Sequence, residues 1–425
     1  MVHQPFDLIL TDFSPVLVER GLSQEKTVDA LSFGIAKSYC IRNEVFDDEE
    51  ANRHYNHVRE LVRRYSVSSK YIANRYTAVT VTEADRVPER LREGGNFTPM
   101  ESDDRLFHGL RISHSMPNGL SLQDRMVIYD EFVTSVIEQM YQGDDTPPDD
   151  IVHVTCSGYV APNPVERMVS SKGWQSTIMN CYHKGCYAFF PGLRHAAGAY
   201  ASAICNWTAP KQRIDVVHTE LLSLHTKLCS AKPEDIVTQT LFSDGFIKYS
   251  LVPAGAPHRS DCEYGLKLLT FRENLIPGAI DDMTWKIGDN QFDMTLSLDV
   301  PIQVRMHAES FMNSLFSQAD LDFEAEKSKV YCAVHPGGPK IIDFIRGALG
   351  LSREQVHHSY RVLKDYGNMS SATVPFLLHE VLHDGDIPEG TLIPAVAFGP
   401  GLTMSGAIFQ KVRLSNTATV SRNGH

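Results

Sequence analysis

Apolar and polar positions along the chain fall into two textures. In the first hundred residues, which are charged and mostly helix-like, the segment EEANRHYNHVRELVRRYSVSSKYIANRY sets apolar side chains at roughly helical spacing between Arg and Glu, and predicts a helix with a solvated face. LSLQDRMVIYDEFVTSVIEQMY predicts a second helix, closed by GDDTPPDD, a turn-rich stretch that cannot continue one. Beyond it the texture becomes short β runs alternating with helices. IVHVTCS and RIDVVHTELLSL are rich in β-branched and apolar residues and read as buried strands. GCYAFFPGLRHAAGAYASAI reads as a helix beginning near Cys186. In the last third, KVYCAVH reads as a strand running into a loop, and IIDFIRGALG and SATVPFLLHEVLH as helices. LIPAVAFGPGLTMSGAIFQKVRL reads as two strands joined by GPG. This alternation implies α/β layering around a sheet buried on both faces. The Pro- and Gly-rich stretch LVPAGAPHR, residues 251–259, is the natural division, giving halves at 1–250 and 251–425.

A length of 425 residues exceeds one ordinary core. No repeat of solenoid length is present, and no apolar run reaches the ~18 residues of a membrane-spanning helix, so no membrane partner is expected. The opening MVHQPFDLILTDFSP lacks a basic region followed by an apolar stretch, and no signal peptide is expected. Forty Lys and Arg against 52 Asp and Glu leave a net charge of −12, which disfavours nucleic acid as a partner. Eight cysteines without a CxxC pair argue against a disulfide scaffold and a structural zinc site, so a reducing, cytoplasmic setting is expected.

Four features carry candidate chemistry. HEVLH, residues 379–383, fits the HExxH zinc pattern, with two histidines on one helix face. It lacks a third ligand from a separate element, because Asp384, Asp386 and Glu389 follow too closely. It is therefore read as a helix end carrying two histidines, and no metal is expected. Cys186, in KGCYAFFPG, stands at a strand-to-helix turn, where unpaired amides and the helix dipole can stabilise a thiolate or a thioester oxyanion. Taken alone, it reads more readily as a buried core cysteine. His335 in VHPGGP and Asn368 in YGNMSSA sit beside glycines that let backbone approach a ligand closely; each, singly, reads as a turn residue. Together Cys186, His335 and Asn368 form a set able to activate a thiol and stabilise an enolate or oxyanion.

These segments resemble chalcone synthase-type (type III) polyketide synthases. HPGGP, YGNMSSA and FGPGLT occur in that family's order and spacing. GCYA followed by GLR resembles the stretch around its nucleophile, LFSDG its LFGDG segment and VTCSG its TSG segment. The resemblance runs from about residue 120 to the end. It implies an α/β thiolase fold, two similar βαβαβ halves in a five-layer αβαβα arrangement, and a homodimer. It implies that Cys186 takes an acyl group from coenzyme A or an acyl carrier protein, with no cofactor. His335 and Asn368 would polarise the second thioester, stabilise its enolate, and, for His335, hold Cys186 as thiolate. Phe242 matches a cavity-lining phenylalanine, and Gly399, Pro400 and Gly401 match a loop that shapes the cavity floor.

Departures from the plant enzymes bear on substrate. Phe189 and Phe190 replace two glycines, with cavity shaping and core filling as alternative roles. Ala161 replaces a methionine, and Leu222 and His225 replace threonines that line the cavity; a satisfied core histidine is the competing reading of His225. An apolar lining suits medium or long acyl chains rather than an aromatic starter. The combination is most similar to bacterial α-pyrone-forming ketosynthases of the myxopyronin and corallopyronin type. Arg63, Arg64, Lys70 and Arg75, placed by this reading on one N-terminal helix, are candidates for carrier or coenzyme A phosphates, with a solvated helix face as the alternative.

Overall fold

The computed structural model describes residues 7–17, 21–78, 118–256, 258 and 263–414, and the expected helix-like character of residues 79–100 lies outside them. Strands are β1 Leu8–Val16, β2 Gly21–Ser23, β3 Asn74–Tyr76, β4 Asp150–Thr155, β5 Thr177–Tyr182, β6 Ile214–Glu220 and β7 Gly245–Pro253. After them come β8 Tyr264–Leu275, β9 Met283–Ile287, β10 Phe292–Leu296, β11 Ala333–Val334, β12 Leu392–Gly399 and β13 Thr403–Arg413. Helices are α1 Gln24–Arg42, α2 Asp48–Tyr65, α3 Leu122–Met140, α4 Pro164–Ser171, α5 Phe189–Ile204 and α6 Pro233–Leu241. The second half adds α7 Val300–Gln318, α8 Phe323–Glu326, α9 Pro339–Ala348, α10 His357–Tyr366 and α11 Thr373–His383.

Nine strands form one sheet in the order β11-β12-β13-β8-β1-β7-β6-β4-β5. In one half, β4 runs parallel to β6, which is antiparallel to β7, which is antiparallel to β1. In the other, β11 runs parallel to β12, which is antiparallel to β13, which is antiparallel to β8. The two runs mirror each other across the β1–β8 seam, which is held by Ile9 opposite Lys267 and Leu10 opposite Leu266. Every residue of β4 and β6 is buried, which explains their near-continuous apolar reading: helices cover both faces.

Five layers result. Helix α5 touches β4 and β6 of the first half and β13 of the second, and α11 touches β1 and β7 as well as β8 and β11. These two helices form the central layer. Outside it, α3 and α4 pack on the first half around Tyr129, Val133, Ile151 and Phe246. On the other side α7 and α9 pack on the second half around Phe311, Leu315, Ile342 and Phe398. The expected thiolase-type α/β arrangement of two similar halves is present.

Three expectations need correction. The first hundred residues also supply β1, a central strand of the sheet. The division drawn between residues 250 and 251 falls inside β7, whose pairing continues to Pro253. The helix expected over EEANRHYN…NRY ends at Tyr65, where Ser66 turns extended (φ −63, ψ 149), so Lys70 lies in a turn and Arg75 in β3. The following Val and two Ser favour that exit, since β-branched and hydroxyl side chains are weak helix formers.

Candidate active site

Two equivalent turns, one from each half, meet at the centre of the molecule. After β5 the chain passes through His183 (φ 60) and Gly185 (φ 69) into a 3-10 turn, Gly185–Tyr187, that leads into α5. After α10 it passes through Gly367 (φ 77) and Ser370 (φ 50) into a second 3-10 turn, Ser370–Ala372, that leads into α11. The two turns touch. Neither central helix has a side-chain cap, because Ala188 and Ala372 occupy the cap positions. Their first amides are thus left for other acceptors.

Cys186 and Asn368 face each other across this junction, with 3.9 Å from Cys186 Sγ to the Asn368 amide. The Ser370 N–H donates to Asn368 Oδ1 at 2.9 Å, which fixes the amide so that Nδ2 is presented towards the sulfur. The Asn368 backbone is clamped as well: its N–H donates to Leu241 O at 3.0 Å and its carbonyl accepts from Ser243 N at 2.8 Å. Phe242, between these two partners, bridges to Asn368 and lines the cavity.

His335 follows β11, and its N–H donates to Val396 O of β12 at 2.8 Å. The far end of β12 abuts the Cys186 turn, so His335 lies at the C-terminal strand ends, where α/β sheets bind ligands. The residue is 1% exposed, and neither ring nitrogen has a hydrogen-bond partner. Buried polar groups are nearly always paired, so an orphaned imidazole marks a place kept for a ligand. Burial pulls its pKa down to about 3. Burial also pushes the Cys186 thiol up to about 12, with Glu220 adding to the rise and hydrogen bonds from Ser370 and Asn368 opposing it. Burial thus disfavours the charged form of both groups.

Gly399 and Pro400 pack directly on the nucleophile turn. A β-carbon on Gly399 would lie 2.3 Å from Tyr187 Cδ1, and one on Gly185 would lie 2.7 Å from Pro400 Cδ. Gly401 (φ 78) faces Leu275 and Ile280 instead. A cavity of about 840 Å3, counting its open mouth, leads to Cys186. Gly185, Cys156, Ser370 and Pro400 line it beside the thiol, and Leu222, His225, Phe242, Trp285, Phe292 and Met294 line it further out.

His225 lines the cavity as a satisfied histidine. The Phe292 N–H donates to its Nδ1 at 3.1 Å, so Nε2 carries the proton and donates to Ser157 O at 2.7 Å. Burial holds it neutral, at about 3. Phe189 and Phe190 are absent from the lining and belong to the core: they are 0% and 2% exposed, and Phe189 packs against Phe190, Tyr249, His218 and Phe409. Their position inside the central layer, between the two half-sheets, gives them core filling as their role.

The four arginine and lysine candidates separate. Arg63 pairs with Asp29 at 3.6 Å, and Arg64 and Lys70 lie over Tyr65 and Tyr71. Only Arg75 lines the cavity; it is buried, donates to Gln239 O, and burial lowers it to about 10. Lys227, also in the lining, pairs with Asp293 at 3.1 Å. With Asp235 beside it, the charged lining balances rather than forming a basic mouth.

A buried network behind the thiol was missed in the sequence. Glu220, at the end of β6, accepts from Cys156 N at 3.0 Å, from Ser157 Oγ at 3.2 Å and from Ser371 Oγ. Cys156 Sγ lies 3.1 Å from Ser370 Oγ, which links this carboxyl to the Asn368 turn. Burial lifts Glu220 to about 7 despite these donors. The polar residue closing an otherwise apolar strand run, Glu220 in HTELL, was the available signal. In HEVLH, His383 Nδ1 lies 2.8 Å from His379 O, and among the described residues no three-ligand group contains either histidine.

Comparison with known proteins agrees with this geometry. Residues 267–413 match the family "Chalcone and stilbene synthases, C-terminal domain". A 3,5-dihydroxyphenylacetyl-CoA synthase from Streptomyces toyocaensis is 28% identical over 332 residues, covering 75% of this chain and 79% of that protein. A probable polyketide synthase 1 from Dictyostelium discoideum is 27% identical over 266 residues, 62% of this chain, but this spans only 8% of that much longer protein. Among solved structures, PKS-I from the brown alga Ectocarpus siliculosus superposes with a TM-score of 0.73 at 21% identity, over 97% of this chain and 100% of that one. The fold is that of the type III polyketide synthases, and residues 267–413 are similar to the C-terminal domain of chalcone and stilbene synthases.

Proposed function

We propose that the protein is a condensing acyltransferase that forms a carbon–carbon bond by Claisen condensation of acyl thioesters. Cys186 Sγ attacks the carbonyl of the first thioester and passes its proton to His335 as the carrier thiol leaves. Burial disfavours the charged form of both groups, so on this reading charge develops as the acyl bond forms. The second thioester then occupies the cavity with its carbonyl oxygen between Asn368 Nδ2 and His335. Loss of CO2 from a malonyl-type unit, or transfer of an α-proton to His335 where two chains are fused, gives an enolate that these donors stabilise. The carbanion attacks the Cys186-bound acyl carbonyl, expelling the Cys186 thiolate as the C–C bond forms. The residues in place supply a nucleophile and two donors, and this sequence of steps calls on no cofactor. The observation carrying this reading is the Cys186–Asn368 contact, with the amide oxygen tied to Ser370 and its nitrogen 3.9 Å from the sulfur.

The mostly apolar lining from Leu222 to Met294 supports acyl-chain substrates and a polyketide or α-pyrone product of the myxopyronin type. The balanced charge at the lining is as compatible with acyl-CoA as with an acyl carrier protein, and iterative extension with malonyl-CoA is the competing route. A homodimer is supported by β5, which ends the sheet with one backbone edge unpaired among the described residues.

The test is intact-protein mass spectrometry after incubation with acyl-CoAs and acyl-carrier thioesters, with Cys186→Ala as control. An adduct on the native protein that is absent from the variant supports acyl transfer, and the preferred donor decides between coenzyme A and carrier. Release of CO2 with malonyl-CoA would favour iterative extension over fusion of two chains. No adduct from any donor would move the assignment to a non-catalytic partner subunit.

A further inference from the structure

A second cluster of chemistry-bearing groups lies outside the cavity, at the other end of the helix pair that carries Asn368. Helices α10 and α11 pack together, and the Asn368 loop joins them at one end. At the opposite end His357 and His358 open α10, and Asp384 caps α11. Candidate ligand atoms of the three all lie within 4.8 Å of one another.

We propose that His357, His358 and Asp384 bind a divalent metal ion of the zinc class. Asp384 Oδ2 lies 3.5 Å from His357 Nε2 and 2.9 Å from His358 Nε2. Neighbouring ligands of a tetrahedral zinc sit roughly 3.3 Å apart, given bonds of about 2.0 to 2.1 Å. The orientation matters as much as the spacing. His357 Nδ1 lies 2.7 Å from Glu354 O, a carbonyl that can only accept, so the proton is on Nδ1 and the Nε2 lone pair faces Asp384. A backbone carbonyl holding the remote ring nitrogen is the usual support of a metal-bound histidine. His358 is 3% exposed, and its Nε2 lies 2.9 Å from the Asp384 carboxylate. The second Asp384 oxygen accepts from the Asp386 N–H at 2.9 Å, which fixes the carboxylate.

Two cations lie nearby: Arg361, which is ion-paired with Glu380, and Lys411, whose Nζ donates to the Asp384 backbone carbonyl at 2.9 Å. Two imidazoles and one carboxylate suit zinc over calcium or magnesium, which take oxygen ligands. Side chains of His357 and Asp384 are 28% and 16% exposed, which leaves a solvent-facing position for water. The ion would clip the free ends of α10 and α11 and so brace the loop that presents Asn368. This inference is independent of the proposed condensation.

Full-length protein freed of metal by chelator is titrated with Co2+, read by its visible d–d absorption, and Zn2+ is then used to displace it. One equivalent is expected, with a tetrahedral spectrum and a rise in Tm on binding. His357→Ala and Asp384→Asn, both at partly exposed positions and checked for folding by circular dichroism, should each weaken binding at least about a hundredfold. The double variant His379→Ala/His383→Ala should bind as the native protein does. Absence of stoichiometric binding would overturn the proposal and leave an ordinary His358–Asp384 ion pair. So would binding that survives both ligand variants, or that is lost only with His379 and His383.

Discussion

A close steric fit lies between Gly185 and Pro400 of the Gly399–Gly401 loop, and it gives a prediction with a defined size. In Gly185→Ala, alanine must adopt φ 69, which costs roughly 1 to 2 kcal/mol for an L-residue. Its β-carbon must also lie 2.7 Å from Pro400 Cδ, a ring that cannot swing away, and overpacking of this kind costs about 1 to 3 kcal/mol. Against these stands about 0.4 to 1 kcal/mol from the lower entropy of the unfolded chain. The net expectation is a loss of about 2 to 4 kcal/mol. Gly347→Ala is the matched control: it lies in α9 with no atom within 4 Å of the added carbon, and is expected to gain up to about 1 kcal/mol. Urea unfolding followed by circular dichroism measures both. Because Cys186 adjoins the strained residue, the acylation rate of folded Gly185→Ala should also fall. A Gly185→Ala protein as stable as its parent would refute the claim that this turn needs a left-handed, side-chain-free residue.

Glu220 is lifted by burial to about 7, so the native state holds a proton that the unfolded chain has released above its ordinary carboxyl range. Stability is therefore fully present below about pH 4.5 and falls as pH rises towards 7, by about 3 kcal/mol for this group; Glu220→Gln should flatten that slope in urea titrations at stepped pH. Asp244, lifted to about 6 by burial, contributes in the same direction and should leave a residual slope in the variant. Phe189→Ala should cost about 3 to 5 kcal/mol in the same assay without altering the lengths of acyl chains accepted, since the ring lies in the core. Phe242→Ala should do the reverse, widening the cavity and lengthening the preferred acyl adduct in mass spectra.

Much of the site was legible because its backbone demands glycine. GCYA, HPGGP, YGNMSS and FGPG each mark a place where positive φ or a close approach excludes other residues, and such demands show in a single sequence. The alternation of β runs and helices gave the layers for the same kind of reason: burial on both faces leaves an apolar run. What failed were matters of long-range geometry. The apolar spacing of Tyr55, Val58 and Val62 continued no signal past Tyr65 strong enough to separate helix from turn, which misplaced Lys70 and Arg75. Phe189 and Phe190 could not be assigned to core or cavity because one helix borders both. Glu220 was hidden inside a strand run, and His357, His358 and Asp384 are joined only by the return of α11 alongside α10.

The β1–β8 seam has a consequence for how the chain reaches its native state. Leu8 pairs with Pro253 and Ile9 with Lys267, so β1 is flanked on both edges by strands made about 240 residues later. Until they emerge, an apolar strand has neither neighbour, and the loop it closes is among the largest the fold contains. Assembly of the two halves and completion of the sheet are then one event rather than two. Since Cys186 comes from one half and Asn368 from the other, nucleophile and amide donor come together only in that event, and a partly folded chain would lack the paired site.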